Sequence, residues 1–175
     1  LARSLSGDLM RVEQYVEMAL NYLRVEDISS DLSFKQYAVD DMVRQVIRKY
    51  AKIFISKKIK MNFKPTGRYI VTDDKWFVFV LEQLISNALK YTKKGQISIY
   101  MKEKSLVIED TGIGIPAEDL PRIFEKGFTG YNGRENKKST GIGLYLCKNI
   151  MDKLQWNITV DSEVGSGTKI YLTKM

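Results

Sequence analysis

Apolar residues at Leu5, Leu9, Val12, Val16, Leu20 and Leu23 recur at spacings of three and four, with Arg11, Glu13, Glu17 and Asn21 between them. That period puts them on one stripe of a helix. Such a stripe needs a partner, so the segment reads as half of a helical hairpin or coiled coil, with weak self-association or docking on a neighbour as the expected outcome. The polar run from Glu26 to Asp31 ends the pattern and divides the chain into residues 1–30 and 31–175. Beyond it, Phe34 to Val39 predicts a strand, and Asp40 an N-cap for a helix through Val43, Val46, Ile47, Tyr50 and Ile53. Ile59 to Phe63 and Tyr69 to Val71 predict short strands joined by a turn at Pro65-Thr66-Gly67. Asp73 or Asp74 starts a strong helix from Lys75 to about Lys90, and Gly95 breaks it.

Ile97 to Met101 and Leu106 to Ile108 predict an antiparallel pair turned by Lys102-Glu103-Lys104. A short helix follows around Ala117 to Phe124. Residues 127–140 crowd glycines, asparagines and cations with little periodicity, which predicts a mobile loop. Leu144 to Leu154 predicts a helix, and Trp156 to Val160 with Thr168 to Leu172 a closing hairpin. Strands mixed with helices, lacking a regular βαβ repeat, predict an α+β fold: a two-layer sandwich whose mixed sheet is covered on one face by helices.

Composition sharpens this picture mainly by exclusion. With 175 residues, 44% hydrophobic and 28% charged, the chain suits one ordinary domain plus an appendage. It contains no histidine, so no Ser-His-Asp triad, histidine base or histidine metal ligand can form within it. The single cysteine, Cys147, excludes an intrachain disulfide and lies among Leu144, Leu146 and Ile150, which reads as a core thiol. A metal would therefore be a hard cation held by oxygen, which points to magnesium. No apolar stretch is long enough to span a bilayer, and the sequence reads as a piece of a longer protein. The net charge of +7 is spread over Lys57-Lys58, Lys93-Lys94, Lys102 to Lys104 and Lys137-Lys138, which reads as solvated surface with no single basic helix.

Four short segments carry candidate chemistry. On the long helix, Gln83, Asn87, Lys90 and Tyr91 share one face at spacings of three and four. That face joins an amide oxygen suited to a hard cation, a cation suited to phosphate and a ring suited to stacking. After the strand Leu106-Val107-Ile108 comes Glu109-Asp110-Thr111-Gly112-Ile113-Gly114-Ile115. Here a carboxylate could accept a hydrogen bond from an exocyclic amine such as adenine offers, and the glycines let backbone approach a flat ligand. Pro116 follows and no third glycine fits, so this is not a dinucleotide fingerprint. Ser139-Thr140-Gly141-Ile142-Gly143-Leu144 opens a helix and could cradle phosphate, or could be a capped helix with tightly packed glycines. Gly165-Ser166-Gly167-Thr168 by itself is a hairpin turn.

In this order the segments, with Phe124-Glu125-Lys126-Gly127-Phe128 between the second and third, resemble the N, G1, F, G2 and final Gly-x-Gly-Thr boxes of the histidine-kinase ATPase domain, a fold shared with DNA gyrase, Hsp90 and MutL. The likeness runs from about Phe34 to the end. The N-terminal helix resembles the second helix of the dimerisation domain in such kinases. The stretches Trp76 to Thr92 and Phe124 to Leu146 are most similar to intramembrane-sensing kinases that work beside antimicrobial-peptide transporters.

The resemblance implies ATP and Mg²⁺ as cofactors. It implies that Asn87 holds Mg²⁺, Lys90 contacts phosphate, and Tyr91 lines the pocket. Asp110 would read the adenine amine, Gly112, Gly114 and Ile115 would leave room beside it, and Thr168 would help through a water. Thr140, Gly141, Gly143 and Leu144 would meet the phosphates. Residues 129–139 would form a lid, with Phe128 at its edge and Arg134, Lys137 and Lys138 reaching the triphosphate. The implied partners are the protein's own dimerisation domain, a second kinase subunit, a response regulator and a transporter, with no nucleic acid. The implied location is the cytoplasmic portion of a bacterial membrane protein, and the phosphoacceptor histidine would lie outside this sequence.

Gln83 stands where the ATP-hydrolysing relatives carry glutamate. An amide cannot act as a general base, which favours a kinase over an ATP-hydrolysing clamp. Glu82 points about 100° away on the helix and cannot substitute. An anti-sigma-type serine kinase of the same fold is a further alternative, disfavoured by the apolar N-terminal stripe.

Overall fold

The computed structural model describes residues 12, 16, 18–24, 32–130 and 140–175. The chain forms two compact units, Leu1–Leu32 and Ser33–Met175. In the first, Val12, Val16 and residues 18–24 (α1) are helical. Val12, Val16, Leu20 and Leu23 are all exposed, so the periodic stripe faces outward within that unit. Leu5 and Leu9 lie outside the described residues, as do Arg134, Lys137 and Lys138.

The second unit runs β1 (Lys35–Ala38), α2 (Val39–Lys57), β2 (Lys60–Phe63), β3 (Tyr69–Thr72), α3 (Asp74–Tyr91), β4 (Gln96–Lys102) and β5 (Ser105–Asp110). It closes with α4 (Gly143–Lys153), β6 (Trp156–Glu163) and β7 (Gly167–Lys174). Five strands form one sheet in the order β2-β4-β5-β7-β6, parallel at β2-β4 and antiparallel elsewhere. β1 and β3 form a separate antiparallel pair. The mixed sheet and its helical layer match the predicted sandwich.

Alternation along the strands explains the layering. Ile97, Ile99, Leu106, Ile108, Ile158, Ile170 and Leu172 are buried in the core, together with Val46 and Tyr50 of α2, Phe77, Leu81, Leu84 and Ile85 of α3, and Leu146 and Ile150 of α4. Each such side chain contributes about 1.5–3 kcal/mol by leaving water. Gln96, Ser98, Tyr100 and Lys102 occupy the alternate positions of β4. Cys147 is fully buried, and burial pushes its thiol well above the ordinary range, as a core thiol requires.

Several local expectations change. Asp40 does not cap α2; its N-cap is Ala38, without a side-chain hydrogen bond. The Asp40 carboxylate instead accepts from Thr66 N at 2.8 Å, Thr66 Oγ1 at 2.7 Å and Gly67 N at 3.2 Å. It thereby pins the Pro65-Thr66-Gly67 turn, which connects two different sheets rather than closing a hairpin. Asp73 is the N-cap of α3, accepting from Trp76 N at 3.1 Å. At the other end of α3, Lys57 of α2 donates to the Leu89 carbonyl, favourable beside the negative end of a helix. No α-helix forms over Ala117 to Phe124; only Leu120–Arg122 winds into a 3₁₀ turn, with Pro121 supplying no N–H. Finally, α2 gathers Arg44, Arg48, Lys49, Lys52 and Lys57, so one helix is more basic than the scattered pattern suggested.

Candidate functional site

Asp110 and the loop after it meet the C-terminal end of α3, and Gly143 lies beside Gln83 in the middle of that helix. Gln83, Asn87, Lys90 and Tyr91 are all half-buried there, as their shared face requires. Lys90 Nζ lies 5.1 Å from the centre of the Tyr91 ring, so the cation and the ring pair with each other.

At the C-terminal end of α3 the backbone is knitted into β5 and the loop after it. Ile113 N donates to the Tyr91 carbonyl at 3.2 Å, and Gly112 N to Asp110 Oδ1 at 2.8 Å. A Cβ on Gly112 would lie 2.7 Å from Asp110 Oδ1, 2.7 Å from the Tyr91 carbonyl and 3.0 Å from Thr92 Oγ1. Three polar groups thus converge on one glycine, which any larger residue would push apart. Burial pushes the Asp110 carboxyl above its ordinary range; the N–H groups of Gly112 and Thr168 and the Thr92 hydroxyl act against it, while Glu109 adds to it. Asp110 therefore offers an acceptor in a partly dry site.

Thr92 Oγ1 is buried and makes no hydrogen bond. It is near enough to favour the charged form of Asp110 without closing a hydrogen bond to it. Leaving such a group unpaired costs about 1–3 kcal/mol.

The loop 112–115 is held from the far side by the β6–β7 hairpin. Gly165 N donates to the Ile113 carbonyl at 2.8 Å, and Ile115 N to Ser162 Oγ at 2.9 Å. Ser162 Oγ also donates to the Gly167 carbonyl at 2.7 Å and sits 3.0 Å from Thr168 Oγ1. Gly114 has φ +71°, and a Cβ there would fall 2.0 Å from the Glu163 carbonyl oxygen. Asp110 and Thr168 are direct ladder partners. Asp110, Gly112, Gly114, Ile115 and Thr168 are therefore one connected cluster.

About two turns back along α3, Gly143 opens α4, and a Cβ on it would stand 3.1 Å from Gln83 Oε1. The N-cap, Ile142, provides no side-chain cap, so the first-turn N–H groups of Gly143 and Leu144 lack the usual partner. That is an anion-ready helix start. Of the two readings of this segment, the capped helix is not what forms. Thr140 is exposed, and Ile142 N reaches its Oγ1 at 3.4 Å. Gly127 N donates to the Gly141 carbonyl at 3.0 Å, which joins the two described ends of the intervening loop. A Cβ on Gly141 would meet Gly127 C at 2.4 Å, so glycine is required at that crossing.

Phe128 is half-buried with the Arg122 guanidinium 4.6 Å from its ring centre, and that is the engagement seen for it. Sequence reasoning missed Thr92 and Ser162. Thr92 directly follows the helix face and lies outside the four segments that carried candidate chemistry. Ser162 becomes visible once the hairpin register pairs it with Thr168, but the expected strand stopped short at Val160.

The model of the family described as "Histidine kinase-, DNA gyrase B-, and HSP90-like ATPase" matches residues 72–174. Among relatives, the chain is 34% identical over 179 residues to "Sensor histidine kinase YxdK" of Bacillus subtilis, covering 96% of this chain and 55% of that protein. It is 36% identical over 168 residues to "Sensor protein kinase GraS" of Staphylococcus aureus, covering 93% and 48%. The chain thus spans about half the length of the curated relatives it matches. Among solved structures, full-length ShkA in complex with AMPPNP superposes with TM-score 0.75 at 20% identity, covering 95% of this chain and 36% of that one. The Acinetobacter baumannii histidine kinase AdeS gives TM-score 0.72 at 23% identity, covering 99% and 83%. At these identities the two superpositions speak for the fold.

Proposed function

The chain belongs to the histidine kinase-, DNA gyrase B- and HSP90-like ATPase family, and from that premise we propose that residues 31–175 form the ATP-binding catalytic domain of a two-component sensor histidine kinase. The observation that carries this reading is a half-buried carboxylate, Asp110, just before the loop bonded to the C-terminal end of α3, and an open helix start at Gly143 beside Gln83 in the middle of α3. Gln83, beside Gly143, and Tyr91, whose carbonyl accepts from Ile113 in the loop after Asp110, lie eight residues apart, a rise of about 12 Å. An extended nucleoside triphosphate has that reach.

In this reading Asp110 accepts from the adenine amine, with Gly114 leaving space and Thr168 assisting. Lys90 and the N–H groups of Gly141, Gly143 and Leu144 hold the phosphates. Arg134 and Lys137 are proposed triphosphate contacts. The half-buried Asn87 on the polar face of α3 is the oxygen donor that Mg²⁺ would take. A single amide oxygen on Asn87 completed by phosphate oxygens and water suits magnesium. When bound, the ion would neutralise charge on the transferring group.

The γ-phosphoryl would pass to a histidine nitrogen, leaving ADP, and then to an aspartate of a response regulator. This sequence holds no histidine, so the acceptor belongs to residues outside it. Residues 1–30 would be the C-terminal helix of the dimerisation domain, consistent with the exposed stripe Val12, Val16, Leu20 and Leu23. The unit would work in the cytoplasm of a bacterium, and a transporter is a further proposed partner. Among the described residues no helix is long and apolar enough to cross a membrane. The hydrolysing-clamp alternative is weakened because the side chain beside the phosphate end is the Gln83 amide, which cannot deprotonate water.

Calorimetric titration of ADP and a non-hydrolysable ATP analogue with Mg²⁺ tests the reading. Wild type should bind both, and Asp110→Asn should weaken both by about a hundredfold or more. Equal binding by the variant overturns the proposal.

A further inference from the structure

Deepening that reading of the Asp110 site, and resting on it, we propose that Thr92 is a positioning residue for base recognition. Its hydroxyl holds the Asp110 carboxylate as an acceptor facing the ligand, and so sets the preference for a 6-amino purine over a 6-oxo purine.

Thr92 is the C-cap residue of α3, its own N–H bonded to the Ala88 carbonyl at 3.0 Å. This fixes its backbone, and the side chain is fully buried. Its Oγ1 lacks a hydrogen-bond partner and converges on Gly112 together with Asp110 Oδ1. Buried hydroxyls are rarely left unpaired, and an unpaired one beside a ligand-reading group points to a bond completed in the bound state. Ligand entry that draws Asp110 toward Thr92 closes the Thr92–Asp110 contact.

The surroundings leave this task to Thr92. The donors that Asp110 already has are the backbone N–H groups of Gly112 and Thr168, and Thr92 is the side chain placed to add a further one. The charged group acting on Asp110 is Glu109, from the alternate position of the same strand. Glu109 is itself held by Lys169 at 3.3 Å and Tyr100 Oη at 2.7 Å, so it cannot turn to replace Thr92. An ionised Asp110 accepts from a 6-amino group and repels a 6-oxo oxygen. A carboxyl that swings or takes up a proton can donate to that oxygen, and discrimination falls.

The experiment compares ADP with inosine diphosphate by calorimetry on the 175-residue chain. Thr92→Val keeps the shape and removes the hydroxyl, Thr92→Ala removes it without demanding volume, and Thr92→Ser restores it. Losing one hydrogen bond to a charged group should lower the ADP-to-inosine-diphosphate ratio about tenfold in Val and Ala. Ser should return it to wild type, and a packing defect alone would weaken both ligands equally in all three. An unchanged ratio in Val and Ala, with Asp110→Asn still abolishing binding, overturns the role of Thr92 and leaves the site reading standing. Retained ADP binding by Asp110→Asn overturns both.

Discussion

The two ends of the candidate site are built differently. Around Asp110 the chain is closed on itself: α3, the loop 112–115 and the β6–β7 hairpin are bonded through Tyr91, Gly112, Ile113, Ile115, Ser162 and Gly165. Around Gly143 the first-turn N–H groups of α4 have no side-chain cap among the described residues, and one backbone bond, Gly127 to Gly141, joins the described ends of the loop. The first arrangement suits a rigid flat base, where a preformed slot gives selectivity. The second suits phosphate, which is recognised by charge and N–H groups and tolerates variation. Substitutions that add bulk at the Asp110 end should therefore cost stability and binding together, whereas those at the Gly143 end should mainly affect the triphosphate.

The largest effect is expected at Gly167. Its φ is +111°, and a Cβ there would fall 1.9 Å from the Asp110 carbonyl oxygen, so Gly167→Ala forces β7 away from β5. Urea unfolding should show a loss of about 3 kcal/mol or more, with ADP binding gone. Gly165, two residues earlier, has φ +82° and open space where a Cβ would sit. Gly165→Ala should cost only the left-handed strain, about 1 kcal/mol, and keep ADP binding. Equal costs at the two positions would mean that the Asp110 end is not closely packed.

Next comes Asp110 itself, where stability and function should part. Burial raises its folded pKa, so its contribution to stability is present below the unfolded value and lost as pH rises through the folded one. At neutral pH the ionised group therefore destabilises the ligand-free fold. Asp110→Asn should raise Tm at pH 7, and the gap over wild type should shrink as pH falls through the acidic range. ADP binding by wild type should weaken over that same range as the acceptor protonates. A variant less stable than wild type at pH 7 would show that the carboxylate is structural.

This division also accounts for what the sequence could disclose. Elements driven by periodic burial were legible: α3 from the apolar run beginning at Trp76, and β4 and β5 from their alternation. So were the glycine-bearing segments, because Gly112, Gly114 and Gly141 each stand where a Cβ would collide with backbone or carboxylate. Interactions decided by long-range register were not. Ser162 reaches Ile115 N only because β6 and β7 extend to Glu163 and Gly167. Asp40 carried every local mark of a cap, yet the turn 26 residues away offered it more donors. The stretch from Ala117 was expected to be a short helix, but with Pro116 and Pro121 its bonds are mostly of the i+3 kind, such as Arg122 N to the Asp119 carbonyl at 2.9 Å.

The smallest effects are expected at the phosphate end, where two neighbouring glycines should behave differently. Gly141 has φ +67°, and a Cβ would press on Gly127 at 2.4 Å, so Gly141→Ala should open the crossing that joins the loop ends. Stability should fall by about 1–2 kcal/mol; affinity for the ATP analogue should drop while that for adenosine holds. Gly143→Ala meets only the far end of the Gln83 side chain at 3.1 Å, which can rotate away. Its backbone is helical, where alanine is the better residue, so stability should change by less than about 0.5 kcal/mol. The N–H group survives the substitution, so any loss of ATP-analogue affinity reports a phosphate packed against the Gly143 Cα itself. A few-fold loss for the triphosphate with adenosine unchanged is the expected result. Parallel losses for both ligands would show that α4 positions the base as well, and the two ends would then be one site without a division of labour.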